Sequence, residues 1–286
     1  MAGGAREGAP KTGGTLVSLA APGAGSGHNA ALERLRALVG RFMWPVLCSW
    51  LIGSPCCGRA AAPAEALFHA AADAYRAGDF SVSATEFGQA ARLLPASGTL
   101  QNLGSAEWQR GQAGSAVLAW EQALWLDPFN RAARENLRYA RRTAQLESPE
   151  LTWYEVVSTW LPVHSWGWIA GISLWLAIGM AIVPGIFRFP KRAWQQAVAA
   201  FGFAVFLLCV PAHLGVDTRS RLGFVLEKNV PLRLTPTAEA EAITRLAAGE
   251  PARVQRVRGN YLLIQTSRAR GWVTRNELGL TCPLPK

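Results

Sequence analysis

Two long apolar segments constrain this chain more strongly than any other feature of its sequence. They cover residues 166–187 and 193–216, and neither contains an Asp, Glu, Lys or Arg. A helix of about 20 residues crosses a hydrocarbon core of roughly 30 Å, so each segment is long enough to span a membrane. A pair of buried core helices is the alternative, but such helices seldom run this long without a charge. The sequence therefore predicts a transmembrane hairpin over residues 166–216.

The residues that flank these segments agree with a membrane location. Tryptophan side chains, which prefer the headgroup region, gather at the start of each segment: Trp153, Trp160, Trp166, Trp168 and Trp194. The turn at residues 188–192 holds three basic residues and no acid. Basic loops are retained on the cytoplasmic side of a membrane. We therefore expect the turn inside the cell and both flanking parts of the chain on the other side.

Residues 1–62 have the composition of a leader rather than of a folded domain. The first thirty are rich in Gly, Ala, Ser and Thr without hydrophobic periodicity, which is typical of disorder. Arginines then precede a short apolar run over residues 42–53, and three alanines at 60–62 follow it; these are the parts of a secretory signal peptide. An uncleaved anchor, and a true start at Met43 instead of Met1, are open alternatives. An uncleaved anchor predicts the same topology for the rest of the chain.

The charge of the chain is unevenly distributed. The formal net charge is +10. Residues 63–147 hold eight basic and nine acidic side chains, whereas residues 219–286 hold twelve basic and five acidic ones. A basic module beyond a membrane helix fits anionic lipid headgroups or an acidic polymer at least as well as nucleic acid. We expect contact with the lipid bilayer and no nucleic-acid partner.

Residues 64–146 contain an internal repeat with a spacing of 33 residues. The matching pairs combine small, aromatic and helix-ending residues: Leu67/Leu100, Gly78/Gly111, Phe87/Trp120, Ala90/Ala123 and Pro95/Pro128. This pattern resembles tetratricopeptide repeats, in which each unit is a pair of antiparallel helices. The resemblance implies two units, residues 64–96 and 97–130. In each unit a glycine ends the first helix and a proline stops the second.

A further helical pattern follows the second repeat over residues 130–145, and its narrow apolar stripe is expected to pack on that repeat as a capping helix. An adjacent arc is basic, and it supplies the candidate partner-binding residues of this domain: Arg131, Arg134, Arg138 and Arg141. A solvated face that keeps the end of the solenoid soluble is the simpler interpretation. The alternative hypothesis is a surface that binds carboxylates or lipid headgroups, because the helix ends close to the predicted membrane.

Residues 148–165 connect the helical domain to the first apolar segment. The apolar residues of this linker recur at the spacing of one helix face: Trp153, Val156, Val157, Trp160 and Leu161. The pattern predicts a short amphipathic helix that lies in the plane of the membrane interface.

The pattern changes to short β-type runs in residues 222–281. Five such runs are separated by turn residues, and the pair Gly259-Asn260 marks a hairpin. Five short strands predict a small barrel. The order of a Leu-Arg-Leu run, Leu246, Gly249 and then Gly271-Trp272-Val273 resembles the bacterial SH3 fold.

The predicted barrel also carries candidate partner-binding residues: Arg256, Arg258, Tyr261, Arg270 and Trp272. Solvated arginines and core aromatic residues are the simpler interpretation of this set. The alternative is a surface for an anionic partner such as cell-wall peptide stems or lipid.

No arrangement of residues in the sequence suggests catalysis. The four histidines lack metal-ligand spacing, and neither a nucleophile elbow nor a phosphate-binding loop is present. We therefore expect no enzyme activity, no metal and no cofactor. A site completed by a partner protein is an open alternative.

The order of the parts resembles the repeat-plus-SH3 membrane proteins encoded in bacterial aerotolerance (Bat) operons. The resemblance covers roughly residues 64–280. It implies a multi-domain fold with a helical tetratricopeptide-repeat domain, a two-helix transmembrane hairpin and a small all-β SH3-like barrel. It also implies von Willebrand A-type membrane proteins as partners.

From the resemblance and the predicted topology we expect a non-enzymatic scaffold of the inner (cytoplasmic) membrane, with both soluble domains in the periplasm and a role in aerotolerance or envelope stress. The alternative is an envelope sensor that binds the cell wall, with peptidoglycan as the ligand of the basic barrel.

Overall fold

A computed structural model of the chain describes residues 58–186 and 193–282. Within these ranges the polypeptide forms a helical domain, two long apolar helices and an antiparallel β domain, in that order. The predictions for the leader before residue 58 and for the basic turn at residues 188–192 lie outside the described residues.

The helical domain consists of two helical hairpins and a fifth helix. Helices α1 (Gly58–Arg76) and α2 (Phe80–Leu93) form the first hairpin, and α3 (Ser97–Gln109) and α4 (Ala113–Leu126) form the second. Helix α5 (Arg131–Ala144) follows and packs on α4. The prediction of a helical region is confirmed, and its assignment to the tetratricopeptide family stays a prediction.

Residues at a few positions explain why these hairpins form. Gly78 and Gly111 end the first helix of each hairpin with φ angles of 82° and 77°, a backbone conformation that glycine adopts readily. The side chain of Asn130 accepts a hydrogen bond of 3.0 Å from the first turn of α5 and so caps that helix. Trp120 on α4 lies directly against Gly104 on α3, where a Cβ atom would come within 2.5 Å of the indole. The small residue therefore allows the two helices to approach closely.

Two long apolar helices follow the short helix α6 (Trp153–Ser158). They are α7 (Val163–Ile186) and α8 (Ala193–Ser220), and both are long and apolar enough to cross a membrane. In the most apolar stretch of each helix only 22% and 17% of the residues are buried. The core helices of a soluble domain are mostly buried, so these two helices do not fit that description. The helices pack on each other at Gly202, where a Cβ atom would lie 2.9 Å from the carbonyl oxygen of Ser173.

The bounds of these helices differ from the predicted ones. Helix α7 begins three residues before the predicted start at Trp166, directly after Pro162. Helix α8 continues four residues beyond the predicted end at Val216. Hydropathy marks only the apolar part of a helix, whereas its backbone hydrogen bonds continue through the polar turn that follows. That last turn of α8 brings Arg219 against the soluble domains.

The β domain is an antiparallel sheet. Seven strands are described: β1 (Leu222–Val225), β2 (Val230–Arg233), β3 (Ala242–Leu246), β4 (Pro251–Arg258), β5 (Tyr261–Gln265), β6 (Arg270–Thr274) and β7 (Leu278–Leu280). Their order in the sheet is β3-β2-β6-β5-β4-β1-β7. Strands β4 and β5 pair Arg258 with Tyr261 around the predicted two-residue turn, in which Gly259 has a φ of 57°.

Two of these strands were not predicted from the sequence, which indicated five. Strand β3 lies at one edge of the sheet, and its polar residues Thr244 and Arg245 weaken the alternation of apolar side chains. Strand β7 has three residues and contains Gly279, so its sequence resembles a turn. The prediction of an all-β C-terminal domain is confirmed.

One hydrophobic cluster joins the helical domain to the β domain, and each domain also has a buried cluster of its own. Leu222 and Phe224 of β1 belong to the same buried cluster as Val117 and Trp120 of α4. Across this contact the side-chain amide of Gln122 donates to the carbonyl oxygen of Leu280 at 2.9 Å. The sequence predicts two soluble domains beside the apolar segments, and in the structure these two domains pack on each other.

Candidate functional site

Helix α6 buries polar residues against the protein and exposes part of its apolar side. Trp153 and nearby Trp160 are 69% and 63% exposed, whereas Glu155 and Ser158 are 0% and 1% exposed. The helix begins with a capping box, in which the side chains of Thr152 and Glu155 bond reciprocally to the backbone. Of the predicted apolar face, Trp153, Val156 and Trp160 are exposed and available to lipid, whereas Val157 and Leu161 pack against the two long helices. The buried polar residues connect α6 to the other elements.

Glu155 forms a buried ion pair with Arg253 on β4. Its two carboxylate oxygens lie 2.5 and 3.2 Å from the two terminal nitrogens of the guanidinium group, which is a bidentate arrangement. The backbone N–H of Thr152 donates to the same carboxylate at 2.8 Å. Burial raises the pKa of Glu155, but the hydrogen bonds from Arg253 and Thr152 outweigh that effect and hold the pKa at about 2. Glu155 is therefore ionised at neutral pH and ties α6 to the β domain.

Arg219, in the last turn of α8, is largely buried at the same place. Its side chain is 9% exposed, and its Nη1 atom donates to the hydroxyl oxygen of Ser158 at 3.1 Å. The guanidinium group lies 5.0 Å from the centre of the Trp125 ring on α4, within the range of a cation–π contact. Arg219 thus links α8 to α6 and to the helical domain. We refer to Glu155, Ser158, Arg219, Arg253 and Trp125 together as the polar junction.

A basic cleft of about 710 Å³ opens beside the polar junction. It lies between α4, α5, the linker before α6 and the ends of α6 and α8, and its lining contains five arginines: Arg134, Arg138, Arg141, Arg142 and Arg219. Glu121 is the one acid among the lining residues and pairs with Arg141. Burial raises the pKa of Glu121, although Arg141 and Arg219 act to lower it. This excess of positive charge favours an anionic ligand.

Three of the four arginines predicted on α5 line this cleft. Arg134, Arg138 and Arg141 recur at helical spacing and contribute to the lining. Arg131 does not line it: its side chain is 88% exposed and pairs with Glu135 at 2.7 Å. The structure therefore brings three of the predicted residues together.

Sequence reasoning did not identify Glu155 or Arg219 as members of a site. A sequence signal existed for each of them. Glu155 stands three residues after Thr152, which is the spacing of a capping box, and it is the acid within a Trp-rich apolar segment. Arg219 lies three residues beyond the end of an apolar span at Val216, where a charged residue is a candidate functional group by position.

The site residues predicted in the β domain lie on one face of the sheet. Arg258 is the ladder partner of Tyr261, and Arg256 and Trp272 share one partner on β5. Residues paired side by side in a sheet project from the same face, and Arg270, two positions before Trp272, shares that face. The three arginines are exposed and the two aromatic residues are half-buried. We call these five residues the arginine–aromatic face.

A further arginine borders the arginine–aromatic face. Arg233 on β2 is the ladder partner of Trp272. Its Nη1 atom is buried and makes no hydrogen bond to any described residue. A buried guanidinium nitrogen without an acceptor is costly, and an acceptor group bound at this position would reduce that cost.

The buried acids of the described residues serve structural contacts. Glu155 and Glu121 pair with arginines, and Glu250 accepts a hydrogen bond of 3.0 Å from the backbone of Ala247. No group of three or more His, Cys, Asp or Glu side chains that could hold a metal ion occurs in the part of the chain that the structure describes.

Comparison with known families identifies the C-terminal part of the chain. Residues 227–279 match the family model of the bacterial SH3 domain. No curated protein matches the chain. The SH3-like prediction for the β domain is therefore confirmed, and the tetratricopeptide and aerotolerance-operon resemblances stay predictions. The match starts after β1, the strand that supplies Leu222 and Phe224 to the core shared with the helical domain.

Proposed function

We propose that this protein is a non-enzymatic scaffold of the bacterial envelope, which is anchored in the cytoplasmic membrane and holds protein partners through its helical domain and its SH3-like domain. The supporting observation is the core that the two soluble domains share. One residue separates the end of α8 from the start of β1. Two recognition surfaces are thereby held at a fixed position relative to the apolar helices, which is the property that a scaffold needs.

The proposed topology places both soluble domains in the periplasm and the turn at residues 188–192 in the cytoplasm. The basic composition of the turn and the low burial of α7 and α8 support it. Protease added to cells with a permeabilised outer membrane should degrade both soluble domains, and a reporter inserted at the turn should be active only in the cytoplasm. Protection of the SH3-like domain from the protease would contradict this topology.

The partners that we propose are other membrane proteins, among them von Willebrand A-type proteins, with a role in aerotolerance or envelope stress. Crosslinking in native membranes followed by mass spectrometry tests this directly. We expect a discrete partner whose yield falls when Arg138 is changed to Glu, and remains unchanged for the control Arg131→Glu, which carries the same charge change outside the cleft. Absence of any specific crosslink, or turnover of a substrate by the purified complex, would overturn the scaffold.

A cell-wall-binding sensor is the second candidate, and the arginine–aromatic face is the observation that favours it. Bacterial SH3 domains bind peptidoglycan as well as proteins, and exposed arginines beside half-buried aromatic rings suit an anionic polymer. The test is sedimentation of the full-length chain in detergent with purified wall material. A fragment that starts at residue 219 is unsuitable, because it would expose Leu222 and Phe224.

The wall-binding candidate predicts co-sedimentation that is lost in Arg256→Gln/Arg258→Gln and retained in Arg138→Gln/Arg142→Gln. The scaffold alone predicts no co-sedimentation of any of the three proteins. The two double variants remove the same charge, so a difference between them reports the position of the binding surface.

A further inference from the structure

We infer that the basic cleft beside the polar junction binds the phosphate-bearing headgroup of an anionic phospholipid. This inference rests on the proposed membrane anchoring, and it assigns the cleft a ligand from the leaflet that surrounds the outer ends of α7 and α8.

The charge of the cleft is the first observation. Five arginines face one acid across the lining, and that acid, Glu121, is already engaged by Arg141. Arg142 forms no ion pair with any described residue, and Arg134 donates to the backbone carbonyl of Pro128 rather than to a carboxylate. Guanidinium groups bind phosphate oxygens through charge-assisted, frequently bidentate hydrogen bonds. The cleft thus has donor capacity that its own residues do not use.

The composition of the cleft wall is the second observation. Leucine side chains from three separate segments line it together with the arginines: Leu124, Leu137, Leu146 and Leu151. A soluble inorganic anion has no apolar part that could contact these leucine side chains. The glycerol backbone and the first part of an acyl chain are apolar and would cover it while the phosphate contacts the arginines.

The position of the cleft is the third observation. Its lining includes Thr159, which directly follows α6, and Arg219, in the last turn of α8. The exposed indoles of Trp153 and Trp160 lie on the same linker. Tryptophan side chains of this kind occupy the headgroup level of a bilayer. A lipid phosphate at that level would therefore lie beside the mouth of the cleft.

The burial of Arg219 distinguishes the cleft from a cluster of solvated surface charges. Arg219 is 9% exposed, and among the described residues its direct contacts are the neutral hydroxyl of Ser158 and the ring of Trp125. Desolvation of a cation is costly unless an anion compensates it. The negative charge of a headgroup phosphate in the cleft would offset the cost of burying the Arg219 cation, in addition to the charge of Glu121.

The test uses the full-length chain in detergent, titrated with short-chain phosphatidylglycerol, short-chain phosphatidylcholine and inorganic phosphate. Native mass spectrometry counts the bound lipids, and the thermal shift gives apparent affinities. We expect phosphatidylglycerol to bind about tenfold more tightly than phosphatidylcholine, and inorganic phosphate to stabilise the protein only weakly. Arg138→Gln/Arg142→Gln should remove this preference, because both arginines belong to the cleft and both are exposed, so their replacement leaves the fold intact.

The matched control is Arg256→Gln/Arg258→Gln, which removes two exposed arginines from the SH3-like domain and should retain the lipid preference. Equal affinity of the wild-type chain for the two lipids would overturn the inference. Retention of the preference in the cleft variant, or its equal loss in the control, would also overturn it. A response to inorganic phosphate as strong as that to phosphatidylglycerol would assign the cleft to a soluble anion instead.

Flotation with vesicles of phosphatidylcholine alone separates this inference from the proposed function. A chain that floats with neutral vesicles but shows no headgroup preference refutes the lipid site and leaves membrane anchoring intact. A chain that remains at the bottom of the gradient without detergent refutes the anchoring, and the lipid site with it.

Discussion

Replacement of Arg253 by Met tests whether the polar junction holds the soluble domains to the linker helix. Glu155 is fully buried, and Arg253 supplies two of its hydrogen bonds. Without Arg253 the carboxylate would stay buried beside an apolar side chain. Removal of one partner of a buried ion pair costs about 3–5 kcal/mol. Because the Arg253 side chain is itself 34% exposed, water can partly replace it, and we expect about 3 kcal/mol.

The pKa of Glu155 gives a second value for the free energy that the interactions of this carboxylate contribute to stability. Its ordinary value is 4.5, and the folded protein holds it at about 2. At 1.36 kcal/mol per pKa unit, this difference corresponds to about 3 kcal/mol of stability at neutral pH. The pKa is depressed in the folded state, so the contribution is complete well above pH 4.5 and is lost as the pH falls towards 2. Less than half of it remains at pH 3.

The assay is thermal unfolding of the full-length chain in mild detergent, followed by the fluorescence of its tryptophans. For a protein of this size, 3 kcal/mol corresponds to a fall in Tm of about 6–12 °C. Arg253→Lys should fall between the wild type and Arg253→Met, because lysine keeps the charge and loses the bidentate geometry. Arg256→Met is the matched control: Arg256 lies on the same strand and is exposed. Its Tm should change by no more than about 1–2 °C.

A double-mutant cycle separates the ion pair from general packing. Glu155→Gln combined with Arg253→Met leaves no unpaired carboxylate at position 155, so its cost should be smaller than the sum of the two single changes by about 1.5 kcal/mol or more. At pH 3 the difference between the wild type and Glu155→Gln should shrink to less than half of its value at pH 7. Additive single effects, or a difference that is independent of pH, would show that Glu155 and Arg253 do not form this ion pair.

Further substitutions test the other contacts between the parts. Gly114→Val should separate the helical domain from the SH3-like domain and make the chain sensitive to protease between them, because a Cβ atom at Gly114 would clash with the carbonyl oxygen of Leu226. Gly88→Ala, where a Cβ atom meets nothing within 4 Å, should instead stabilise helix α2 by about 0.5–1 kcal/mol, and an unchanged or lower Tm would contradict this. Gly202→Leu should disrupt the pairing of α7 and α8, since even a Cβ atom there lies 2.9 Å from the carbonyl oxygen of Ser173; unchanged crosslinking between cysteines placed on the two helices would refute it.

Periodicity explains how much of the fold the sequence could predict. The helical domain and most of the β strands follow local rules: glycine at hairpin turns, apolar stripes at helical spacing, and the turn at Gly259. The uncharged segments likewise indicate α7 and α8. The strands that were missed are an edge strand and a three-residue strand, whose sequences carry little alternation.

The polar junction could not be predicted because its contacts are not local. Arg253 lies 98 residues from Glu155 along the chain, and Arg219 lies 61 residues from Ser158. A periodic pattern shows which side of an element is apolar, but not which buried polar group on another element will meet it. For α6 the apolar pattern located the exposed residues Trp153, Val156 and Trp160, but it did not show that Val157 packs inward or that Glu155 and Ser158 meet arginines on other elements.

The polar junction also bears on the scaffold role that we propose for this chain. Helix α8 continues into β1 with one residue between them, and β1 is in turn part of the core of the helical domain. Arg219 and Arg253 hold α6 against this unit from two directions. A flexible tether would let each soluble domain search for partners independently, and its sequence would be rich in Gly, Ser or charged residues. This chain instead has a buried core where such a tether would lie. Binding of a partner at the cleft or at the arginine–aromatic face therefore acts on the joined soluble domains, which are continuous with the apolar helices, rather than on a domain that moves separately.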